Sequence, residues 1–365
     1  MKRRPDERPM ARLPVLEARR TELERCTFCL KLCRSACPVS NAEPRETLIP
    51  WGKMSTAYFV ARGDVPIEPS TAHPAWACTG CMHCKKECEH DNDVAGTLLD
   101  ARAALVRERA EPAAARAVID GFAAREAEAR AASKGLGGSG PEVLVVGCAY
   151  LREAPKEARA IVRAASGLLG RAPRLLDGCC GLPLLMAGDK EGFARHAERV
   201  AREIGGAKVL VHDAGCALAM RVRYPSVGVP APDVELLVER AAREVSRLAP
   251  LKREPVRWHD PCSLGRGLGV YDAPRALLAH LLGAPPLELD HAREGAVCSG
   301  AGGLLPVTMP ETSRAIAEWR TAGVREKIVT ACASSLLSFR RAGAKAEDIA
   351  TYVARALDGG EKIPE

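Results

Sequence analysis

The chain has 365 residues, 47% hydrophobic and 27% charged, with a formal net charge of +7. That length allows two or three domains, and the composition is ordinary for a soluble globular protein. No stretch approaches the eighteen apolar residues of a transmembrane helix. Aromatics are only 4%, too few for base stacking, so nucleic acid is set aside as a partner. The first ten residues are charged but carry no apolar core, which argues against a secretory signal and for a cytoplasmic protein. In a reducing compartment fifteen cysteines mean metal or catalysis and not a disulfide framework.

In chain order, residues 1–22 are polar, proline-punctuated and expected as an N-terminal arm. Residues 23–112 are expected as a small helical domain with little core of its own, with helices over 51–62 and 94–109; the second places Val94, Leu98, Ala101 and Leu105 on one face. Two cysteine runs organise this domain: Cys26-Thr-Phe-Cys29-Leu-Lys-Leu-Cys33-Arg-Ser-Ala-Cys37 and Cys78-Thr-Gly-Cys81-Met-His-Cys84-Lys-Lys-Glu-Cys88. The second run has the C-x2-C-x2-C-x3-C spacing of bacterial two-cluster ferredoxins, in which three close thiolates and a remote fourth hold each [4Fe–4S] cluster. That arrangement assigns Cys26, Cys29, Cys33 and Cys88 to one cluster, and Cys78, Cys81, Cys84 and Cys37 to the other. The pattern is departed from twice: three residues separate Cys29 from Cys33, and Glu89 stands where proline is usual. A pair of structural zincs is the competing reading, though zinc normally draws C-x2-C pairs from separate loops.

Residues 113–140 read as a helical linker ending in the glycine run 135–140, the expected domain boundary. Beyond it strands and helices alternate. Apolar runs at 142–147, 208–212, 255–259 and 327–330 are expected as buried parallel strands, with helices over 155–168 and 192–204. This part repeats. Cys179-Cys180-Gly181 and Cys298-Ser299-Gly300 are offset by 119 positions, as are Asp213 and Cys332. Cys148 and Cys262 follow the first strand of each half. Two α/β lobes, 141–250 and 251–365, should therefore carry these cysteines at the carboxyl ends of their strands.

Cys148…Cys179-Cys180-Gly181…Asp213-x-x-Cys216 resembles the cysteine-rich "CCG" domain, as does Cys262…Cys298-Ser299-Gly300…Cys332-x-x-Ser335. With the two-cluster domain in front, nearly all of residues 20–355 resembles the heterodisulfide reductase D-type subunits and the iron–sulfur subunits of glycolate oxidase and anaerobic glycerol-3-phosphate dehydrogenase. The resemblance implies a multidomain α + α/β fold, with a helical ferredoxin-like domain and two CCG lobes, and two [4Fe–4S] clusters. It implies a third cluster, non-cubane or cubane, on Cys148, Cys179, Cys180 and Cys216 with Asp213 in the fifth place. Cys262, Cys298 and Cys332 form a degenerate second set in which Ser299 and Ser335 replace thiols. The expected role is an iron–sulfur electron-transfer subunit, peripheral at the inner face of the membrane if it meets one. Its partners would be a flavoprotein dehydrogenase and a membrane or quinone-reactive subunit, since no flavin or nicotinamide fingerprint is present. The alternative is a heterodisulfide or thiol-disulfide reductase with Cys179 and Cys180 as catalytic residues; a cluster-bearing sensor is a third. His259-Asp260 offers a catalytic pair or a strand end, Gly300–Gly303 a phosphate loop or a tight turn. His83 and His90 are surface histidines or neighbours of a cluster.

Overall fold

The computed structural model describes residues 9–29 and 33–359. They form two compact units. Unit 1 comprises Met1–Asp120, Pro183–Lys190 and Gly300–Ile316; unit 2 comprises Gly121–Leu182, Glu191–Ser299 and Ala317–Glu365.

Unit 1 is helical. Helices Arg20–Thr27, Pro50–Arg62, Pro69–Trp76 and Val94–Arg107 pack on one another; the second and fourth lie close to the spans expected over 51–62 and 94–109. Three of the four N-termini are marked in sequence: Pro50 and Pro69 start their helices, and the Asp93 side chain accepts the Gly96 N–H. The core is larger than expected. Leu16, Leu23, Met54, Tyr58, Trp76, Leu98 and Leu105 are buried together, and Met10 and Leu13 join them. The arm expected over 1–22 thus contributes Met10, Leu13 and Leu16 to the core; residues 1–8 lie outside the described residues. A second apolar cluster joins Cys37, Val39, Leu48 and Ala77 to Leu305, Met309 and Ile316.

Unit 2 contains two four-stranded parallel sheets. Strands β1 (Gly140–Val145), β2 (Pro173–Leu175), β3 (Val209–Val211) and β4 (Val234–Leu236) run in the order β2-β1-β3-β4. Strands β5 (Val256–Trp258), β6 (Leu287–Glu288), β7 (Lys327–Thr330) and β8 (Ala346–Asp348) repeat it as β6-β5-β7-β8. The in-register pairs Val143↔Val209 and Val256↔Lys327 are all-parallel partners of the two central strands in each sheet. The halves pack through helices Pro155–Leu169 and Ile349–Leu357. There Gly167 leaves room for Leu357, whose Cδ1 would be 2.7 Å from an added Cβ.

The division between units falls between Asp120 and Gly121 and not at the glycine run 135–140. Helix Phe122–Ser133 packs on the first lobe through Phe122, which meets His196 edge-on, and through Arg130 to Asp177 at 2.9 Å. The glycine run follows β2: Gly138 N–H and Gly140 N–H donate to Pro173 O and Ala172 O. A Cβ at Gly138 would lie 2.6 Å from Ala172 Cβ, so glycine there permits close backbone approach.

Candidate metal centres

In unit 1 the helix ends and turns gather eight cysteines around two cavities. One, with about 360 Å³ of empty space, is lined by Cys26, Cys29, Cys33, Cys84 and Cys88, with Trp51, Asn92 and Val94. The other, with about 340 Å³, is lined by Cys37, Cys78, Cys81 and Cys84, with Lys53 and Val94. Among the described residues no three His, Cys, Asp or Glu side chains are disposed around a single metal ion; the thiols surround cavities instead.

Cys26, Cys33 and Cys84 are pushed up by their surroundings. Burial, then Cys33, Cys88 and Cys29, push Cys26 up to about 12. Burial, then Cys88 and Cys29, push Cys33 up to about 11. Cys84 is raised well above the usual thiol range by burial and then by Cys81, Cys78 and Cys37. Thiols that cannot ionise together are a donor set suited to a positively charged inorganic core, whose binding releases the protons. Donors already point at the sulfurs. Asn92 Nδ2 lies 3.0 Å from Cys26 Sγ, Lys53 Nζ 3.2 Å from Cys37 Sγ, and Gly80 N 3.4 Å from Cys78 Sγ. Such contacts orient ligands and tune an iron–sulfur site. The donor chemistry and these hydrogen bonds fit iron–sulfur clusters.

In unit 2, Cys148, Cys179, Cys180 and Cys216 sit just beyond the carboxyl ends of β1, β2 and β3. They form one string. Cys179 Sγ contacts Cys148 Sγ at 3.3 Å, Cys180 hydrogen-bonds Cys179, and Cys216 hydrogen-bonds Cys180. The 3.3 Å separation is well beyond the ~2.05 Å of a disulfide, and all four are free and buried. The bond with Cys179, then burial, raise Cys148 well above the usual range. Cys216 is lowered by its bond with Cys180, but burial and Asp213 outweigh this and push it up to about 12. The turn at Gly181 has φ +82°, and a Cβ there would meet His196 Cδ2 at 2.6 Å; only glycine suits it. His196 Nε2 bonds the Cys179 carbonyl at 2.8 Å, and Tyr224 Oη donates to the Cys180 carbonyl at 2.9 Å.

Asp213, expected as a fifth ligand, caps two helices. Its Oδ1 accepts from Gly215 N and Cys216 N, and its Oδ2 from Ala333 N at 3.0 Å, in the other lobe. In that lobe Cys262, Cys298 and Cys332 follow β5, β6 and β7. Ser299 Oγ and Ser335 Oγ are 3.0 Å apart, at the places where Cys180 and Cys216 bond each other. Cys332 is pushed up to about 12 by burial and then by Asp213. Asp260 is bound by Arg275, by the Arg293 N–H and by Trp258 Nε1. His259 is packed edge-on against Phe339, and burial pushes it down to about 3. Gly302 and Gly303 press against the Thr79 and Cys78 carbonyls within unit 1, a close approach that accounts for the glycines without a phosphate. His83 is buried and His90 exposed at the rim of the first cavity.

Residues 22–92 match a family model described as a 4Fe-4S dicluster domain, and residues 143–221 and 256–340 match one described as a cysteine-rich domain. The chain belongs to the cysteine-rich-domain iron–sulfur proteins. It is 30% identical over 210 residues to the D subunit of dihydromethanophenazine:CoB–CoM heterodisulfide reductase from Methanosarcina mazei, covering 49% of each chain. It is 26% identical over 334 residues to the B subunit of the fumarate reductase (CoM/CoB) of Methanothermobacter marburgensis, covering 85% of this chain and 66% of the relative. With lactate utilization protein A of Geobacillus kaustophilus it shares 28% over 161 residues, 40% of this chain and 66% of the relative. The chain thus spans about half the length of the heterodisulfide reductase subunits it matches.

In this iron–sulfur protein several residues around the cysteines escaped sequence reasoning. Lys53 and Arg102 were legible in part, since each stands on the apolar face of a helix: Lys53 four residues before Ala57, Arg102 four after Leu98. Asn92, His196, Tyr224 and Glu126, whose Oε1 accepts the Cys179 N–H at 3.4 Å, carried no signal in the sequence, because only the fold brings them to the cysteines.

Proposed function

We propose that this chain is the iron–sulfur electron-transfer component of an oxidoreductase complex. A [4Fe–4S] cluster in each cavity of unit 1 would supply one-electron transfer. Cys26, Cys29, Cys33 and Cys88 would hold the first, and Cys37, Cys78, Cys81 and Cys84 the second. The observation that carries this reading is that two thiol-ringed cavities are neighbours, with Cys84 lining both. Asn92 and Lys53 donate to one sulfur in each set, while Trp51 and Val94 help keep water out. The relatives named as reductase subunits support a multi-subunit setting. As the partners we propose a flavoprotein dehydrogenase and a membrane or quinone-reactive subunit. No helix among the described residues is long and apolar enough to cross a membrane.

Cys148, Cys179, Cys180 and Cys216 are proposed to hold a third cluster, on the strength of four buried thiols in mutual contact. Ser299 and Ser335 argue against a matching one in the second lobe, because a hydroxyl is a poor iron ligand beside thiolate. The test is iron and acid-labile sulfide per chain, with EPR, on anaerobically purified protein and on Cys179→Ser. About eight irons unchanged by the substitution would leave two clusters. About twelve falling to about eight would add the third and bring disulfide chemistry at Cys179 and Cys180 into play. No iron, or zinc in its place, would overturn the reading.

A further inference from the structure

The two cavities of unit 1 differ in the charge built around them. Lys53, on helix Pro50–Arg62, is 2% exposed, and its Nζ points at Cys37 Sγ from 3.2 Å. Arg102, also 2% exposed, stands behind Cys78. It donates to the carbonyls of Cys78 at 2.7 Å, Ala75 at 2.9 Å, Met186 at 2.7 Å and Gly303 at 3.1 Å. Among the described residues neither cation has a carboxylate within ion-pairing distance. An uncompensated charge in an apolar interior is costly, and buried charges are ordinarily paired. Two such cations beside one set of thiols are balanced only by negative charge in the cavity itself.

Among the described residues the first cavity lacks this arrangement. The hydrogen bond to Cys26 comes from the neutral Asn92 amide. Arg25 and His90 on its lining are exposed, so solvent and salt screen any charge they carry. Reduction adds an electron to a site that is already anionic. A fixed buried cation stabilises that added charge far more than an amide or a screened surface group does.

We propose that Lys53, backed by Arg102, makes the cluster held by Cys37, Cys78, Cys81 and Cys84 the higher-potential member of the pair. The proposal rests on the reading of two [4Fe–4S] clusters in unit 1. Lys53 also lines a mostly apolar cavity with Leu13, Leu16, Ala57 and Val60. Lys53→Met therefore keeps the packing and removes the charge, and Lys53→Arg keeps the charge.

The test is an EPR-monitored redox titration of the full chain, purified anaerobically. Cys29→Ser and Cys81→Ser identify which step belongs to which cavity. The expected result is two steps with the higher at the second cavity. Lys53→Met should lower that step by at least tenfold in the reduced-to-oxidised ratio, about 59 mV for one electron. The first-cavity step should move much less, and Lys53→Arg should stay near wild type. The proposal is overturned if the second cavity is the lower step in the wild type. It is equally overturned if Lys53→Met leaves that step in place, or if Lys53→Arg shifts it as far as Lys53→Met does. Should Lys53→Met shed the second cluster, the wild-type order and the Lys53→Arg shift still decide. Failure of the two-cluster reading looks different: iron is absent, or a single cluster signal is all that titrates.

Discussion

His259 carries a charge balance that the sequence leaves open. Beside Asp260 it suggests a proton-shuttling pair, yet Asp260 is taken up by Arg275, Trp258 and the Arg293 N–H. Burial first, then Arg320, push His259 from its ordinary 6.5 down to about 3. In the folded chain the ring stays neutral until the pH approaches 3, whereas in the unfolded chain it protonates near 6.5. Between those values the unfolded state binds the extra proton, so stability present above pH 6.5 is lost as the pH falls, by about 1.4 kcal/mol per unit. The check is the urea midpoint from pH 6.5 to 4 in the wild type and in His259→Gln. The wild type should lose stability more steeply; parallel slopes would show that His259 is not the group responsible. Asp213 teaches a related lesson. Read as a ligand because it fills a cysteine's place, it satisfies N–H groups at two helix starts, one in each lobe. The residue type was legible and its partner across the lobes was not.

Legibility at the scale of elements follows burial. The four strands expected from apolar runs, β1, β3, β5 and β7, are the central strands of their sheets. β1, β3 and β7 carry buried runs of Val, Leu and Ile, while β5, Val-Arg-Trp, buries its two apolar ends. The four that escaped, β2, β4, β6 and β8, are the edges. They are only two or three residues long, and Pro-Arg-Leu, Val-Glu-Leu, Leu-Glu and Ala-Glu-Asp offer no periodicity to read. Glycines were misleading in another way, because an open turn and a crowded one look alike in sequence. Gly303 has φ +61°, and a Cβ there would stand 2.0 Å from the Cys78 carbonyl oxygen; Gly343 has φ +82° with nothing within 4 Å. Gly303→Ala should therefore displace the Cys78 turn, costing backbone strain plus overpacking of about 1–3 kcal/mol each, and should lower the iron content. Gly343→Ala should incur the strain alone and keep its iron. Thermal melts with iron analysis on both variants separate the two, and equal effects would contradict the crowding argument.

At the scale of the whole molecule the chain does not finish unit 1 before starting unit 2. It leaves at Asp120 and contributes to unit 1 again with Pro183–Lys190, just after Cys179-Cys180-Gly181, and with Gly300–Ile316, just after Cys298-Ser299. Both returning segments supply groups that unit 1 uses. Trp76 Nε1 donates to the Ala187 carbonyl at 3.3 Å, and Thr312 Oγ1 donates to Glu43 at 2.7 Å. Two of the four carbonyls on Arg102 come from Met186 and Gly303. Leu305, Met309 and Ile316 complete the apolar cluster around Cys37. The cysteine spacing could not announce this, because local spacing defines ligand sets while the supporting core comes from residues more than a hundred positions away. A fragment ending at Asp120 keeps all eight unit 1 cysteines but leaves Arg102 buried with half its acceptors and Cys37 without its apolar cover. Each unsatisfied hydrogen bond to a buried charge costs roughly 1.5–3 kcal/mol, a large share of the 5–15 kcal/mol that stabilises a domain. The fragment should therefore melt without a cooperative transition and retain less iron than the full chain, with the loss concentrated at the cavity of Cys37, Cys78, Cys81 and Cys84. Circular dichroism melts with iron analysis of both proteins test this. A fragment that melts cooperatively with a full iron complement would mean that the two returning segments are dispensable to unit 1.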